Sequence, residues 1–350
     1  MSYIKKILIA PLKENPIIMG IETSCDETAV AIIKNGREIL ADEIISSATE
    51  HAKFGGVVPE IASRTHTTAI LTATERALKA ANLTLDDIDA FAVTEGAGLL
   101  GALLVGVSFA KALAFSLNKP LVPVSHIRGH IAASYLADKD LEPPFITILA
   151  SGGHTAIIAV DDYYNLNVLG STIDDAVGEA FDKVARVLGL PYPGGPNVER
   201  LAQSGKNSVL LPKMLKNYDG GEYDFSYSGL KTAVINYVHN EQAKGIEVIK
   251  EDVAASFQHA AIDVLVEKAL KAAKQCGYNT ICVSGGVGAN GYLRKALSDA
   301  VKDKNIKLIL PEKRYCTDNG AMIGAEGYLQ YKKRNFADLT LNAKAVVPLK

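Results

Sequence analysis

The chain alternates dense apolar runs with polar or glycine-rich turns, and one such arrangement occurs twice. Ile17-Ile18-Met19-Gly20-Ile21-Glu22 reads as a strand, Thr23–Thr28 as a polar turn and Ala29–Ile33 as a returning strand. The same order of strand, small polar turn and strand recurs at Phe145–Ala150, Ser151–Thr155 and Ala156–Val160. A repeat about one domain length away points to a duplicated domain rather than to a solenoid of short units.

Both hairpins lead into helical periodicity. From Glu60 to Leu78 apolar residues fall at helical spacing (Ile61, Ala69, Ile70, Ala73, Ala77). Phe91–Thr94 is a strand running into Glu95-Gly96-Ala97-Gly98, and the largely apolar Leu99–Leu117 is a buried helix. Pro120–Val124 is a short strand that delivers the chain to His126. In the second half, Asp174 and Asp175 are placed to cap a helix that turns Ala176, Val177, Ala180, Phe181, Val184, Val187 and Leu188 inward. Gly189 stops that helix, and Pro191–Pro196 follows as a rigid loop. Residues 203–224 are polar and punctuated, as in an insertion. Helices follow at about Leu230–Asn240 and Asp252–Cys276, then a strand at Thr280–Val283 ahead of Ser284–Asn290. Ile306–Leu310 is another strand, and a last helix runs from Asn319 to about Lys332. Alternating strands and helices predict an α/β architecture with sheets covered by helices.

Composition narrows the picture. With 350 residues, 48% of them hydrophobic, there is enough apolar material for two cores. No uninterrupted apolar run is long enough to span a bilayer, so no membrane partner is expected. The apolar patch in the first eighteen residues is too short for a signal peptide, and Pro11 and Pro16 argue against a helix there. A loosely attached extension is expected, with Met19 a candidate functional start. Cys25, Cys276, Cys282 and Cys316 form no Cys-x-x-Cys pair, which fits reduced thiols and a cytoplasmic location. A formal net charge of −2 lacks the basic stripe of a chain that grips nucleic acid unaided. A nucleic-acid substrate would therefore call on a partner or a local patch.

The candidate chemistry centres on His126-Ile127-Arg128-Gly129-His130. Two histidines four apart on a helix have Cβ atoms roughly 5–6 Å apart and can reach one divalent cation, though the spacing also arises on ordinary helix faces. Asp318 would complete a two-histidine, one-carboxylate set suited to iron or zinc; its other role is to cap the last helix. Three glycine-rich turns follow strands, at Glu95–Gly101, Ser151–Gly153 and Ser284–Asn290. Their free N–H groups suit a phosphate, and together they favour a nucleotide in an interdomain cleft over simple tight turns. Asp182 can pair with Arg186 one turn later or accept from ribose hydroxyls. Asp26 and Glu27, at the tip of the first hairpin, are candidate bases or orienting groups, or else simple turn formers.

A resemblance rests on these segments together with others: Gly20–Thr28, Gly55-Gly56-Val57-Val58-Pro59-Glu60, the His126/His130 pair, Ala150–Thr155, Ala180–Lys183, Tyr192–Pro196, Asp224–Thr232, Ser284–Val287 with Asn290, and Cys316–Met322. In order, from about Met19 to about Tyr331, the chain resembles the bacterial branch of the TsaD family, once labelled O-sialoglycoprotein endopeptidase. The resemblance implies two duplicated lobes of the actin/hexokinase/Hsp70 (ASKHA) type with an interlobe cleft. On that pattern 1–18 is an extension, 19–130 the N-terminal lobe, 131–318 the C-terminal lobe and 336–350 a tail. The helix at about 319–335 is expected to pack back on the first lobe. The implied reaction is transfer of threonylcarbamoyl from threonylcarbamoyl-AMP to N6 of adenosine 37, in tRNAs reading codons that begin with A. By the same resemblance His126, His130 and Asp318 would hold one metal, iron(II) with zinc the alternative. Leu149, Ala150, Ser151, Gly152, Gly153, Asp182, Gly195, Glu199 and Asn290 would bind the adenylate. Implied partners are a TsaB-like paralogue, a TsaE-like ATPase and the tRNA.

Two departures stand out. Arg128 occupies a position that is often acidic in the family, where a cation disfavours a metal unless it points away. The segment before Met19 has no family counterpart. Among rival readings, a small-molecule kinase on the same fold leaves the histidine pair unexplained. A metallopeptidase lacks His-Glu-x-x-His, and a non-catalytic nucleotide switch leaves the ligand-type residues without a task.

Overall fold

In the computed structural model, residues 2–212, 214–215 and 219–348 are described. The chain forms two compact units, Met1–Leu141 with Thr317–Leu349, and Glu142–Cys316. The first contains α1 (Tyr3–Ile9), β1 (Ile17–Glu22), β2 (Glu27–Lys34), β3 (Glu38–Ser46), α2 (Ala48–Ala52) and α3 (Pro59–Ala81). It continues with β4 (Ala90–Gly96), α4 (Leu100–Ser116), β5 (Leu121–Ser125) and α5 (His126–Ala137). The second contains β6 (Phe145–Ala150), β7 (Thr155–Val160), β8 (Leu166–Ser171), α6 (Val177–Val187), α7 (Gly194–Ala202) and α8 (Ser228–Ala243). After them come α9 (Lys250–Cys276), β9 (Thr280–Ser284), α10 (Gly291–Val301) and β10 (Lys307–Ile309). The chain then returns to the first unit as α11 (Gly320–Lys332).

The two sheets repeat one topology. The first runs β3-β2-β1-β4-β5, antiparallel across β3-β2-β1 and parallel across β1-β4-β5. The second runs β8-β7-β6-β9-β10 with the same pattern of directions. The duplication read from the two hairpins is therefore a duplication of whole sheets, completed by β3 and β8, which the apolar pattern did not mark. Strands β6 and β7 are buried at every position, the reason their sequences are apolar apart from Thr147 and Thr155.

A glycine seam sets the position of α11. A Cβ at Gly20 on β1 would lie 2.2 Å from the Gly320 carbonyl oxygen and 2.4 Å from the Gly324 nitrogen. Gly320 and Gly324 meet β2 at Ala31 and Ile33, and Gly327 meets Ala92 on β4. Backbone on backbone, α11 lies against the sheet and, through Met322 and Ile323, against Gly129 of α5. That contact carries the residues just before α11 to the start of α5.

Several expectations need correction. The segment before Met19 is not loosely attached: α1 forms because Pro11 and Pro16 lie beyond it, where they interrupt nothing. Its Ile7 is buried, Tyr3 Oη donates to the Lys119 carbonyl at 2.6 Å, and Arg334 donates to the carbonyls of Leu8 and Ala10. The units divide at 141/142 and 316/317 rather than at 130/131 and 318/319, because α5 runs unbroken to Ala137. Residues 336–348 return to the first unit: Ala337 N–H donates to the Leu121 carbonyl and Lys344 N–H to that of Glu95. Met1, residues 349–350 of the tail, and 213 and 216–218 of the expected insertion lie outside the described residues. No helix among the described residues is long and apolar enough to cross a membrane.

Candidate metal centre and substrate-binding residues

Strand β5 ends at Ser125 and α5 begins at His126, so one turn of α5 presents His126 and His130 side by side. Their rings meet edge to face with centroids 4.6 Å apart. The glycine seam supplies the third group: Asp318 Oδ1 lies 3.5 Å from His126 Nε2 and 3.3 Å from His130 Nε2. One donor atom from each of the three falls within 4.8 Å of the others. Asn319, not Asp318, caps α11, accepting from Met322 N–H at 2.8 Å. The capping role considered for Asp318 therefore belongs to its neighbour.

The donor set fits a divalent cation. Both ring nitrogens of His130 are buried without a hydrogen-bond partner. Buried polar atoms in that state are rare, and ligation would satisfy one of them. His126 is buried; burial opposes its charge, yet Asp318 and Glu22 outweigh burial and raise its pKa to about 9. In the metal-free chain the ring therefore carries a proton that a cation has to displace. Arg128 has a carboxylate partner of its own: its Nε donates to Glu326 Oε1 at 2.8 Å.

Sequence reasoning missed the groups behind these ligands. Glu22 closes β1 in complete burial and contacts Ser24 N–H, Thr94 Oγ1 and His126 Nδ1. Its one visible sign is an acid ending an apolar strand. Two further buried histidines hold the turn that bears Asp26 and Glu27. His66 contacts Thr28 Oγ1 at 2.7 Å and the Cys25 carbonyl at 2.9 Å, and burial lowers its pKa. His51 accepts from Val58 N–H at Nδ1, which leaves its Nε2–H for Ser47, whose hydroxyl donates to the Asp26 carbonyl. Burial, then Asp318 and Asp26, push the Glu27 carboxyl well above the usual carboxylate range.

The remaining predicted residues belong to the second unit. Leu149 and Ala150 end β6, and a Cβ added at Gly152, Gly153, Gly195 or Gly286 would meet nothing within 4 Å. These backbone faces are open to a ligand. Asp182 Oδ1 accepts from Gly194 N–H at 2.8 Å and Gly195 N–H at 3.3 Å, so it anchors the proline-rich loop. Burial raises its pKa in spite of those bonds and of Arg186. Glu199 accepts from Gly291 N–H at 2.8 Å, and Asn290 caps α10 while donating to Gln258. Asp174 and Asp175 do not cap α6: the first accepts from Ser226, Tyr227 and Ser228, and the second pairs with Lys183 and Lys231. The turn at Glu95–Gly101 is no phosphate cradle either. Gly96 is closed by Lys344 and Val347 of the tail, and Gly98 by Ser24.

The repeated topology is matched by solved structures. Component A of (R)-2-hydroxyglutaryl-CoA dehydratase from Acidaminococcus fermentans superposes at TM-score 0.53 and 16% identity, over 91% of this chain and 98% of that one. HypF from T. kodakarensis gives 0.62 at 16% identity, over 93% of this chain and 48% of its own. These likenesses define the class, an α/β protein of the actin/hexokinase/Hsp70 type. Sequence takes the assignment further: the family model for TsaD, tRNA N6-adenosine threonylcarbamoyltransferase, matches residues 38–325. The Staphylococcus aureus (strain MRSA252) protein of that name is 50% identical over 333 residues, 95% of this chain and 97% of the relative. The strain Newman protein is 49% identical over the same span. The chain belongs to the TsaD family.

Proposed function

We propose that this chain transfers the threonylcarbamoyl group of threonylcarbamoyl-AMP to N6 of adenosine 37 in tRNAs that read codons beginning with A, releasing AMP. The observation that carries the reading is the convergence of His126, His130 and Asp318 in a chain 50% identical to a protein named for that reaction. His126, His130 and Asp318 would hold one divalent metal, iron(II) in preference to zinc, since two imidazoles and a carboxylate leave coordination positions open. Bound there, it would supply Lewis acidity to an acyl oxygen and a fixed point for the threonyl carboxylate.

The chain's own groups divide the remaining work. The open backbone faces of Gly152, Gly153 and Gly195, with Leu149, Ala150 and Ser151 beside them, suit the adenylate phosphate, whose departure they ease by stabilising its charge. Asp182 suits the ribose hydroxyls, and Glu199 and Asn290 fix the backbone around the nucleotide through α7 and α10. The exocyclic amine of adenine is a weak nucleophile and has to lose a proton as the new bond forms. Asp26 and Glu27, where the turn after β1 enters β2, are the groups placed to accept it or to orient the amine.

A TsaB-like paralogue and a TsaE-like ATPase complete the proposal. Leu71 on α3 and Leu100, Leu104 and Phe115 on α4 expose apolar surface suited to such a partner. A cytoplasmic location agrees with four cysteines that are all free. Purified chain, partner proteins, threonylcarbamoyl-AMP and unmodified tRNA test the proposal, with nucleoside mass spectrometry as readout. Modified adenosine and AMP should appear in equal amounts; ATP-dependent phosphorylation of a small metabolite, with no change to the tRNA, would refute it.

A further inference from the structure

Glu22 is a fully buried carboxylate for which the chemistry above has no use. Its Oε1 accepts from Ser24 N–H at 2.5 Å, while Oε2 accepts from Thr94 Oγ1 at 2.7 Å and lies 3.0 Å from His126 Nδ1. Ser24 Oγ lies 3.1 Å from the same Nδ1 and by itself decides nothing, since a hydroxyl donates or accepts equally well. A carboxylate only accepts. Beside Glu22, His126 Nδ1 has to carry its hydrogen, and Ser24 Oγ then takes a share of that N–H as a second acceptor. The neutral ring is left with its lone pair on Nε2, the atom facing Asp318.

We infer that Glu22 is a positioning residue that fixes the tautomer and the orientation of His126, so that Nε2 is the ligand atom. It resembles the carboxylates that elsewhere hold metal-binding imidazoles, whose loss typically costs 10- to 100-fold in metal affinity. Here the same carboxylate also accepts from Ser24 N–H in the turn bearing Asp26 and Glu27, and from Thr94 on β4. One buried group thus ties a ligand on α5 to the acidic turn after β1. Asparagine-type amides cannot replace it: a glutamine has one accepting and one donating end, whereas both oxygens of Glu22 face donors.

This inference rests on the metal-centre reading, and the test separates the two. Cobalt(II) is titrated into the full chain and into Glu22→Gln and Glu22→Ala, with the visible ligand-field bands and chelator competition giving affinity. Wild type should bind one equivalent, and both variants should lose about 10- to 100-fold while circular dichroism stays unchanged. If wild type binds no cobalt(II), the metal centre itself is refuted. If it binds and both variants bind within twofold of it, only the role of Glu22 falls. Should the variants not fold, the zinc-loaded wild type still decides. Nitrogen-15 spectra of its histidine rings should show a slowly exchanging Nδ1–H on His126 with Nε2 bare of hydrogen, and the opposite assignment overturns the inference.

Discussion

The two strand–turn–strand units occupy the same place in the same sheet topology, yet their turns are built from opposite materials. The turn after β1 is made of side chains: Thr23, Ser24 and Asp26 are buried. Its carbonyls are held by Leu99 N–H, His66 and Ser47. The turn after β6 is made of backbone. Ser151 and His154 close it by bonding each other, and Gly152 and Gly153 between them have no neighbour where a side chain would project. A duplicated scaffold has thus been given carboxylates and imidazoles on one copy and bare N–H groups on the other. Fold alone assigns neither task.

The sharpest way to break this comparison is to remove the metal ligands alone. His126→Ala/His130→Ala should lose cobalt(II) affinity by roughly 100-fold or more and bring tRNA modification down to background. AMP binding, measured by calorimetry, should stay within twofold of wild type, because every group assigned to the adenylate lies in the other unit. A parallel loss of AMP affinity would mean that the two turns do not divide the chemistry as described.

Next in size come glycines, which do different things in the two units. Gly20→Ala puts a methyl group against backbone atoms of α11 that cannot move aside, and should cost about 3 kcal/mol in urea unfolding. It should weaken cobalt(II) binding as well, because Asp318 is carried by the same seam. Gly152→Ala places the same methyl in open space and should leave the unfolding midpoint unchanged. Its effect should fall on AMP affinity, by about tenfold, if that backbone face receives the phosphate. Equal stability losses in the two variants would erase the contrast.

How much of this was legible beforehand follows the same line. The strands were readable because double-sided burial leaves largely apolar runs, and the His126/His130 spacing was readable because a helix turns every 3.6 residues. Asp318 was nameable only as a candidate: its meeting with α5 depends on three glycines of α11 lying on a sheet formed some 290 residues earlier, roughly the span from β1 to α11. Glu22, His51 and His66 escaped notice because their partners are backbone groups and side chains brought together only by folding. The turn at Glu95–Gly101 misled for the reciprocal reason. Glycine permits a close approach without saying whether a ligand or the chain's own tail makes it.

The smallest expected effect tests whether the second unit gives up stability for its ligand. Asp182 is mostly buried, and burial holds its pKa above the ordinary aspartate value despite two backbone N–H donors. A carboxyl raised in this way stabilises the fold fully below the unfolded-state pKa, near pH 4, and that contribution is lost as pH rises through the folded value. The charged form of the group therefore weighs against folding. Asp182→Asn keeps an Oδ1 acceptor for Gly194 and Gly195 and removes the charge, so it should raise stability at pH 7 by about 0.5–1 kcal/mol. The gain should vanish below about pH 4, where the wild-type carboxyl is protonated in both states. AMP affinity should drop by roughly 10- to 100-fold, as expected when an ionised acceptor for ribose hydroxyls is replaced by a neutral one. Denaturant titrations at pH 4 and pH 7 with matched calorimetry would show the two changes running in opposite directions. A variant that is less stable at both pH values would place Asp182 among the purely structural anchors of the loop.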